Sequence, residues 1–288
     1  MVSPVTTFNC RGKLLVFDNP IVMGILNTNH DSFYENSRVN DLAKAIDRVG
    51  EMIENGAKII DIGGVSTRPG AQMVSESEEL DRLLPYIVEI KSKYKDVFLS
   101  VDTFRAIVAK EAFQAGIHII NDISGGQFDE KMFKVLAELK LPYVLMHNNE
   151  SFENMHLKAG LTDPVTSVFD YFTKKIKLLN ENGVYDIFLD PGFGFGKTMT
   201  ENYSLLKNIE FFSILNLPIL IGISRKSMIY KKLNISIEES LNATSTLHMF
   251  ALMQGAKVLR VHDVKEAVQT VELYNYLQVV DNEYESPD

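Results

Sequence analysis

The feature that most constrains this chain is a recurrence. Short runs rich in Ile, Val and Leu return at 21–26, 58–62, 97–101, 117–121, 143–146, 187–189, 219–223 and 256–261. Each is followed by a stretch with helical apolar spacing, at 40–55, 76–93, 104–115, 130–139, 163–182, 201–213, 237–254 and 263–279. Asn55-Gly56, Ala115-Gly116, Asn182-Gly183 and Gln254-Gly255 close four of these helices just before the next strand, where a residue in the left-handed region ends an α-helix most easily. A strand without a polar face is buried on both sides, and single-helix connections make neighbouring strands parallel. Eight such units predict an α/β fold of the (β/α)8 TIM barrel type, with a doubly wound open sheet as the alternative. No Pro/Ser-rich linker, charge block or low-complexity segment divides residues 1–288, so one domain is expected, its barrel spanning about 20–279. Residues 5–18 are expected to form a hairpin closing the N-terminal end of the barrel, and 281–288 a frayed polar tail.

The bulk numbers exclude several classes. With 45% hydrophobic and 23% charged residues the chain is not disordered. A formal charge of -9 speaks against a general nucleic-acid or anionic-membrane surface, while leaving room for a local basic pocket. The start, MVSPVTTFNCRGK, lacks a signal pattern, and no apolar run approaches the roughly 20 residues of a membrane span. The lone Cys10 precludes an intramolecular disulfide and fits a reducing compartment, so a cytoplasmic protein is expected.

In a barrel, chemistry gathers at the C-terminal ends of the strands. Those ends carry Asn27, Asp61 with Gly63-Gly64, Asp102, Asn121-Asp122, His147, Asp190, Ser224-Arg225-Lys226, and Arg260 with His262-Asp263. Buried polar groups are unfavourable unless paired, so polarity at every mouth position points to a site. Asp102 and Asp190 end otherwise apolar strands and should face the mouth, as should Asn121. Asp61 and Asp122 are expected to cap turns. His147 is expected to be a satisfied mouth histidine, and His118 and His248 to be structural. Arg68 in a Gly/Pro-shaped loop suits an anion, and so does Lys226 with Ser224, Arg225 and Ser227 around it. No His/Cys pair has zinc spacing, but a hard cation such as Mg²⁺ needs few protein ligands and could use Asn27 together with substrate phosphate oxygens. "GISRKS" is not a nucleophile elbow.

"FLDPGFGFGKT", 188–198, invites a nucleotide reading and fails it. A phosphate loop needs glycine where Pro191 stands, and a dinucleotide fingerprint starting at Gly192 needs one where Lys197 stands. What remains is a strand ending in a carboxylate and a glycine turn that lets backbone approach a ligand.

Taken together, "GILNTNHDSF", "IIDIGGVSTRPGA", "LSVDT", "IINDISGG", "MH", "LDPGFGFGKT", "GISRKS" and "LRVHDV" resemble the dihydropteroate synthase family, in order, from about residue 20 to 279. That resemblance implies condensation of 6-hydroxymethyl-7,8-dihydropterin diphosphate with p-aminobenzoate, giving 7,8-dihydropteroate and diphosphate. It implies that Asp102, Asn121, Asp190 and Lys226 hydrogen-bond the pterin, that Arg260 packs on its face, and that Met146 lines the same pocket. Asn27, Arg68 and His262 would take the diphosphate, with Asn27 near Mg²⁺. Thr67, Pro69, Phe195, Ser224 and Lys226 would line the arylamine side. Lys226, Asp102, Asp190 and Arg260 are the residues the chemistry would depend on, and a homodimer is implied.

The chain departs from the family pattern N-x-T-P-D-S-F by placing Asn29-His30 where Thr-Pro is usual, which frees φ at position 30 and restores an N–H. Loop closure, arylamine affinity and response to sulfonamide analogues are the properties this change touches. The segment "NNESFENMHLKAGLT", 148–162, also lacks a Met-Gln step found in many relatives. Two other readings stay open at this stage: a methyltetrahydrofolate-dependent corrinoid methyltransferase, which shares barrel and pterin floor, and a pterin-binding paralogue without turnover.

Overall fold

The computed structural model describes residues 6–28, 35–66, 73–148 and 160–284. An antiparallel hairpin, β1 (Thr7–Cys10) and β2 (Lys13–Val16), turns at Arg11-Gly12, both at positive φ, and is followed by strand β3 (Ile21–Asn27) and helix α1 (Glu35–Glu54). Then come β4 (Ile59–Gly63), α2 (Glu76–Lys93), β5 (Phe98–Asp102), α3 (Ala106–Ala115), β6 (Ile119–Asp122), α4 (Met132–Leu139) and β7 (Tyr143–Met146). The last part runs α5 (Pro164–Glu181), β8 (Ile187–Asp190), α6 (Met199–Lys207), β9 (Leu220–Ile221), α7 (Ser227–Leu233), α8 (Leu241–Met253), β10 (Val258–Val261) and α9 (Val264–Tyr284).

Strands β3 to β10 form one parallel sheet in the order β8-β7-β6-β5-β4-β3-β10-β9. Its two ends meet through a parallel bridge between Leu189 and Ile219, where the Leu189 N–H donates to the Pro218 carbonyl at 2.9 Å. The sheet is therefore a barrel, as the eightfold recurrence predicts. Local chemistry sets the helix starts. Ser75 caps α2; Asp163, followed by Pro164, caps α5; and Thr198 and Glu201 form a reciprocal capping box on α6.

The core has two shells. One inward residue from each strand, Ile59, Phe98, Ile119, Val144, Phe188, Leu220 and Val258 with Met23, packs with Phe8, Cys10, Leu15 and Phe17 of the hairpin segment. The hairpin thus plugs the N-terminal end: Phe188 meets Phe8 at 4.8 Å and Phe17 at 5.5 Å, edge to face. A fully buried ring of this kind is worth about 3–5 kcal/mol against alanine. The other strand parity, including Ile60, Leu99, Ile120, Leu145 and Leu189, packs outward on the helices.

Some elements differ from the sequence expectation. The 201–213 stretch divides into α6 and a 3-10 turn at Ile209–Leu215, because Asn208 leaves the helical region and its amide bonds the Ser204 carbonyl at 2.7 Å. Helix α7 has seven residues, too few to show a period, and buries only Met228 and Ile229. Helix α8 starts at Leu241, after a 3-10 turn at Glu238–Ser240. Helix α9 continues to Tyr284, so 281–284 are helical where a frayed tail is expected over 281–288, and the rest of that stretch lies outside the described residues.

Candidate active site

Side chains alternate along a strand, so the parity that fills the plug also fixes what lies above it. Two residues beyond Ile59, Phe98, Ile119, Val144, Phe188 and Val258 stand Asp61, Ser100, Asn121, Met146, Asp190 and Arg260, and Asp102 and His262 follow one further step along. The apolar plug thus carries a polar floor at the C-terminal end of the barrel.

Arg260 organises that floor. Its Nε donates to Asp61 Oδ2 at 2.7 Å and its Nη2 to Asp102 Oδ2 at 2.6 Å. Asn121 Nδ2 donates to the same Asp61 oxygen at 2.8 Å. Asp61 is fully buried, and among the described residues its Oδ1 has no hydrogen-bond partner, nor has the hydroxyl of Ser100, its register neighbour on β5. Burial pushes the Asp102 carboxyl up to about 7 against the pull of Arg260, with Asp61 adding to the rise. Arg260 itself stays a cation: burial opposes its charge, but Asp61 and Asp102 outweigh that and raise its pKa.

Across the floor, burial raises the pKa of Asp190, opposed chiefly by Lys226 and by the Gly192 N–H, which donates to Oδ1 at 2.8 Å. The glycine turn that follows is built from inside. Lys197 is buried and donates to the carbonyls of Gly192 at 2.9 Å, Phe195 at 3.1 Å and His147 at 3.4 Å. Asn202 accepts the Gly194 N–H at 2.8 Å and donates to the Lys197 carbonyl at 3.2 Å. Gly192 sits at φ +69°, and a Cβ there would lie 2.1 Å from the His147 carbonyl oxygen. Lys226 donates to the Phe193 carbonyl and lies 4.6 Å from the centroid of the Phe195 ring. Burial, opposed by Asp190, pulls its pKa down to about 8. Met146 packs with Phe104 and Ile123, against Phe128 and Phe195, giving the floor one apolar wall.

At the rim, Ser224 Oγ lies 3.3 Å from His262 Nδ1 and accepts the His262 N–H at 3.2 Å. Burial, with Arg260 adding to it, draws the His262 pKa down to about 4, so the ring is neutral at pH 7. Asn27 is exposed, and its Oδ1 and Asp102 Oδ2 both lie against Gly63. Behind the rim Glu79 is fully buried, accepting from Thr103 at 2.7 Å and from Arg105, which also donates to the Val74 carbonyl at 2.5 Å.

Asp102, Asn121, Met146, Asp190, Phe195, Ser224, Lys226, Arg260 and His262 therefore gather around one mouth, with Asn27 on its rim. Thr67, Arg68 and Pro69 lie outside the described residues, as do Asn29, His30 and the segment 149–159. One sequence expectation needs correction. Asp61 caps no turn; it lies mid-strand with inward parity and anchors Arg260, a role that counting two residues from Ile59 could have exposed. Arg225, next to Lys226, is held away from the mouth's chemistry: its guanidinium pairs with both Asp263 oxygens at 2.8 Å and with the carbonyls of Ile237 and Glu238. Asp122 is structural as expected, accepting from Ser124, Gly126 and Tyr143 on the outer face of the barrel. His118 accepts the Leu99 N–H at 3.0 Å and belongs to the scaffold.

A floor of carboxylates, an amide and cations beside an apolar wall suits a flat polar heterocycle, and comparison with known proteins agrees. The family described as pterin binding enzyme matches residues 23–262. The dihydropteroate synthase of Escherichia coli strain K12 is 41% identical over 263 residues, covering 91% of this chain and 93% of that one. The crystal structure of the Yersinia pestis dihydropteroate synthase with a sulfonamide drug complex superposes with a TM-score of 0.88 at 39% identity, covering 95% and 99% of the two chains. The Xanthomonas albilineans dihydropteroate synthase with 4-aminobenzoic acid gives 0.87 at 33% identity, covering 94% and 98%.

Proposed function

The chain belongs to the dihydropteroate synthase family of pterin-binding transferases, and we propose how its residues divide the work of joining 6-hydroxymethyl-7,8-dihydropterin diphosphate to p-aminobenzoate. Curated synthases at about 40% identity over most of the chain favour this reading over a methyltransferase or a paralogue without turnover. The observation that carries the allocation is the floor itself: Arg260 bound to Asp61 and Asp102, with Asn121, Asp190 and Lys226 around the same mouth.

Asp102, Asn121 and Asp190 accept the amino and ring N–H groups of the pterin, Lys226 donates to it, and Arg260 and Met146 bound the ring. The C–O bond to diphosphate breaks first, leaving positive charge on the pterin methylene, which the floor carboxylates stabilise through the ring. The arylamine nitrogen then forms the new C–N bond and gives up a proton. No covalent enzyme intermediate is needed. Phe195, Ser224 and Lys226 serve the arylamine side, where sulfonamides act as analogues, and the family resemblance adds Thr67 and Pro69 to that role. Arg68, His262 and Asn27 receive the diphosphate, His262 as a neutral donor.

Among the described residues no cluster of three His, Cys, Asp or Glu could hold a metal alone. The exposed amide oxygen of Asn27 beside the mouth nonetheless suits a hard cation that takes its other ligands from phosphate and water. Mg²⁺ bound there would neutralise the departing diphosphate. Exposed Phe250 and Met253 on α8 with Leu273, Tyr276 and Leu277 on α9 support a homodimer built on these two helices. No helix among the described residues is long and apolar enough to cross a membrane, and the lone Cys10, buried and held up to about 12 chiefly by that burial, suits the cytoplasm. The test is diphosphate release by purified protein given the pterin diphosphate and Mg²⁺, with and without p-aminobenzoate. Release that depends on the arylamine is expected; additional release without it would mean that water reaches the cation, and the absence of any arylamine-dependent release would overturn the synthase assignment.

A further inference from the structure

The G-K-T that makes 188–198 look like a phosphate loop has no place in the division of labour above, yet its lysine is among the most enclosed cations in the molecule. Lys197 is 5% exposed. Its Nζ reaches three backbone carbonyls, of His147, Gly192 and Phe195, and pairs with no carboxylate within ion-pair distance among the described residues. Three acceptors need three N–H groups. A neutral amine has two, so the geometry calls for the ammonium, even though burial, countered by Asp190, draws its pKa down to about 7. The carbonyls belong to the two segments that frame the mouth, the end of β7 and the turn after β8.

We propose that Lys197 is a positioning residue, an internal cation around which the glycine turn is wrapped so that Asp190, Phe195 and Lys226 face the substrates. Each link is a contact. Gly192, whose carbonyl takes the ammonium, gives its N–H to Asp190. Phe195, whose carbonyl does the same, offers its ring to Lys226. Phe193, between them, accepts from Lys226 Nζ. Gly192 has no side chain because one would strike the His147 carbonyl that shares the same ammonium. The turn is thus an inverted phosphate loop: carbonyls point inward at a fixed cation where a phosphate loop would point N–H groups at a bound anion.

This inference rests on the synthase reading for its kinetic assay, and the variant Lys197→Ala tests it. Removing the ammonium leaves a carbonyl-lined hole, and kcat/KM for p-aminobenzoate is expected to fall about 100-fold, the loss a misplacement near 1 Å brings. Ethylammonium or propylammonium added to that variant should restore turnover saturably, while propanol of matching size should not. Loss without rescue, or rescue by the alcohol as well, would overturn the role of the charge, and unchanged kinetics would overturn the role of the residue. Should Lys197→Ala not fold, Lys197→Met keeps the volume: normal kinetics in it refute the proposal, and the same loss with an unchanged urea midpoint supports it. Pterin affinity, measured by equilibrium titration, is expected to drop in either variant. That readout separates this inference from the assignment of the reaction, which fails only if the wild-type protein itself shows no arylamine-dependent release.

Discussion

Replacing Arg260 by methionine tests the floor energetically. Methionine keeps most of the packing stem and removes the charge that spans Asp61 at 2.7 Å and Asp102 at 2.6 Å. Breaking a buried ion pair from one side costs about 3–5 kcal/mol, because the remaining carboxylate stays buried without a cation. Asp61 is fully buried and should bear the full penalty, whereas the Asp102 side chain, 16% exposed, can recover some solvation, so about 3–4 kcal/mol is expected at neutral pH. The loss should depend on pH. The Asp102 carboxyl already lies near 7, and without Arg260 it moves higher. A carboxyl whose folded pKa exceeds its unfolded value of about 3.9 favours the folded state less and less as pH rises from that value towards the folded one. Urea unfolding at pH 5 and pH 8 should therefore show the larger deficit at pH 8, with the m-value unchanged. Adding Asp61→Asn to Arg260→Met should recover part of it, since no uncompensated charge remains there. A deficit below about 1 kcal/mol at pH 8, the range of a surface pair, or a larger one at pH 5, would refute the picture of a buried guanidinium bridge.

Three further predictions follow from single contacts. Burial, with Lys197 adding to it, draws the His147 pKa down to about 2, so unfolding between pH 6.5 and that value takes up a proton and the stability present above pH 6.5 is lost on acidification; His147→Asn should flatten the slope of unfolding free energy by about 1.4 kcal/mol per pH unit between pH 6 and 4. Gly192→Ala meets both a left-handed backbone, about 1–2 kcal/mol, and the His147 carbonyl, and should lower the thermal midpoint and pterin affinity together; loss of neither would mean that the turn can re-form. Asn27→Ala should raise the Mg²⁺ concentration for half-maximal turnover while leaving metal-free pterin affinity unchanged, and an unaltered Mg²⁺ titration would remove Asn27 from the metal site.

Periodicity made the barrel legible because eight parallel strands buried on both faces leave the same apolar signature eight times. The floor residues Asp102, Asn121, Asp190 and Arg260 were legible for the converse reason, being polar where an apolar run stops. Asp61 was misread because Gly63-Gly64 after it looks like a turn; only the inward parity shared with Ile59 separates a floor residue from a cap. The pairing of Arg225 was not legible, since Asp263 is 38 positions away and bonds it only through the meeting of β9 and β10. Lys197 could be excluded from a phosphate loop by spacing, but its three carbonyl partners come from two different strand ends, which no local pattern records. The seven residues of α7 are shorter than two full turns and leave no period to find.

The most direct test of the central claim, that the polar floor above the apolar plug is the pterin site, is the affinity of dihydropterin for wild-type protein and for Asp190→Asn, measured by equilibrium titration. The substitution keeps the size of the side chain and one acceptor oxygen while removing the charge. If Asp190 holds the ring through charge-assisted hydrogen bonds, affinity should fall about 10- to 100-fold with the urea midpoint little changed. Equal affinity in the two proteins would contradict the account and move the pterin to another site.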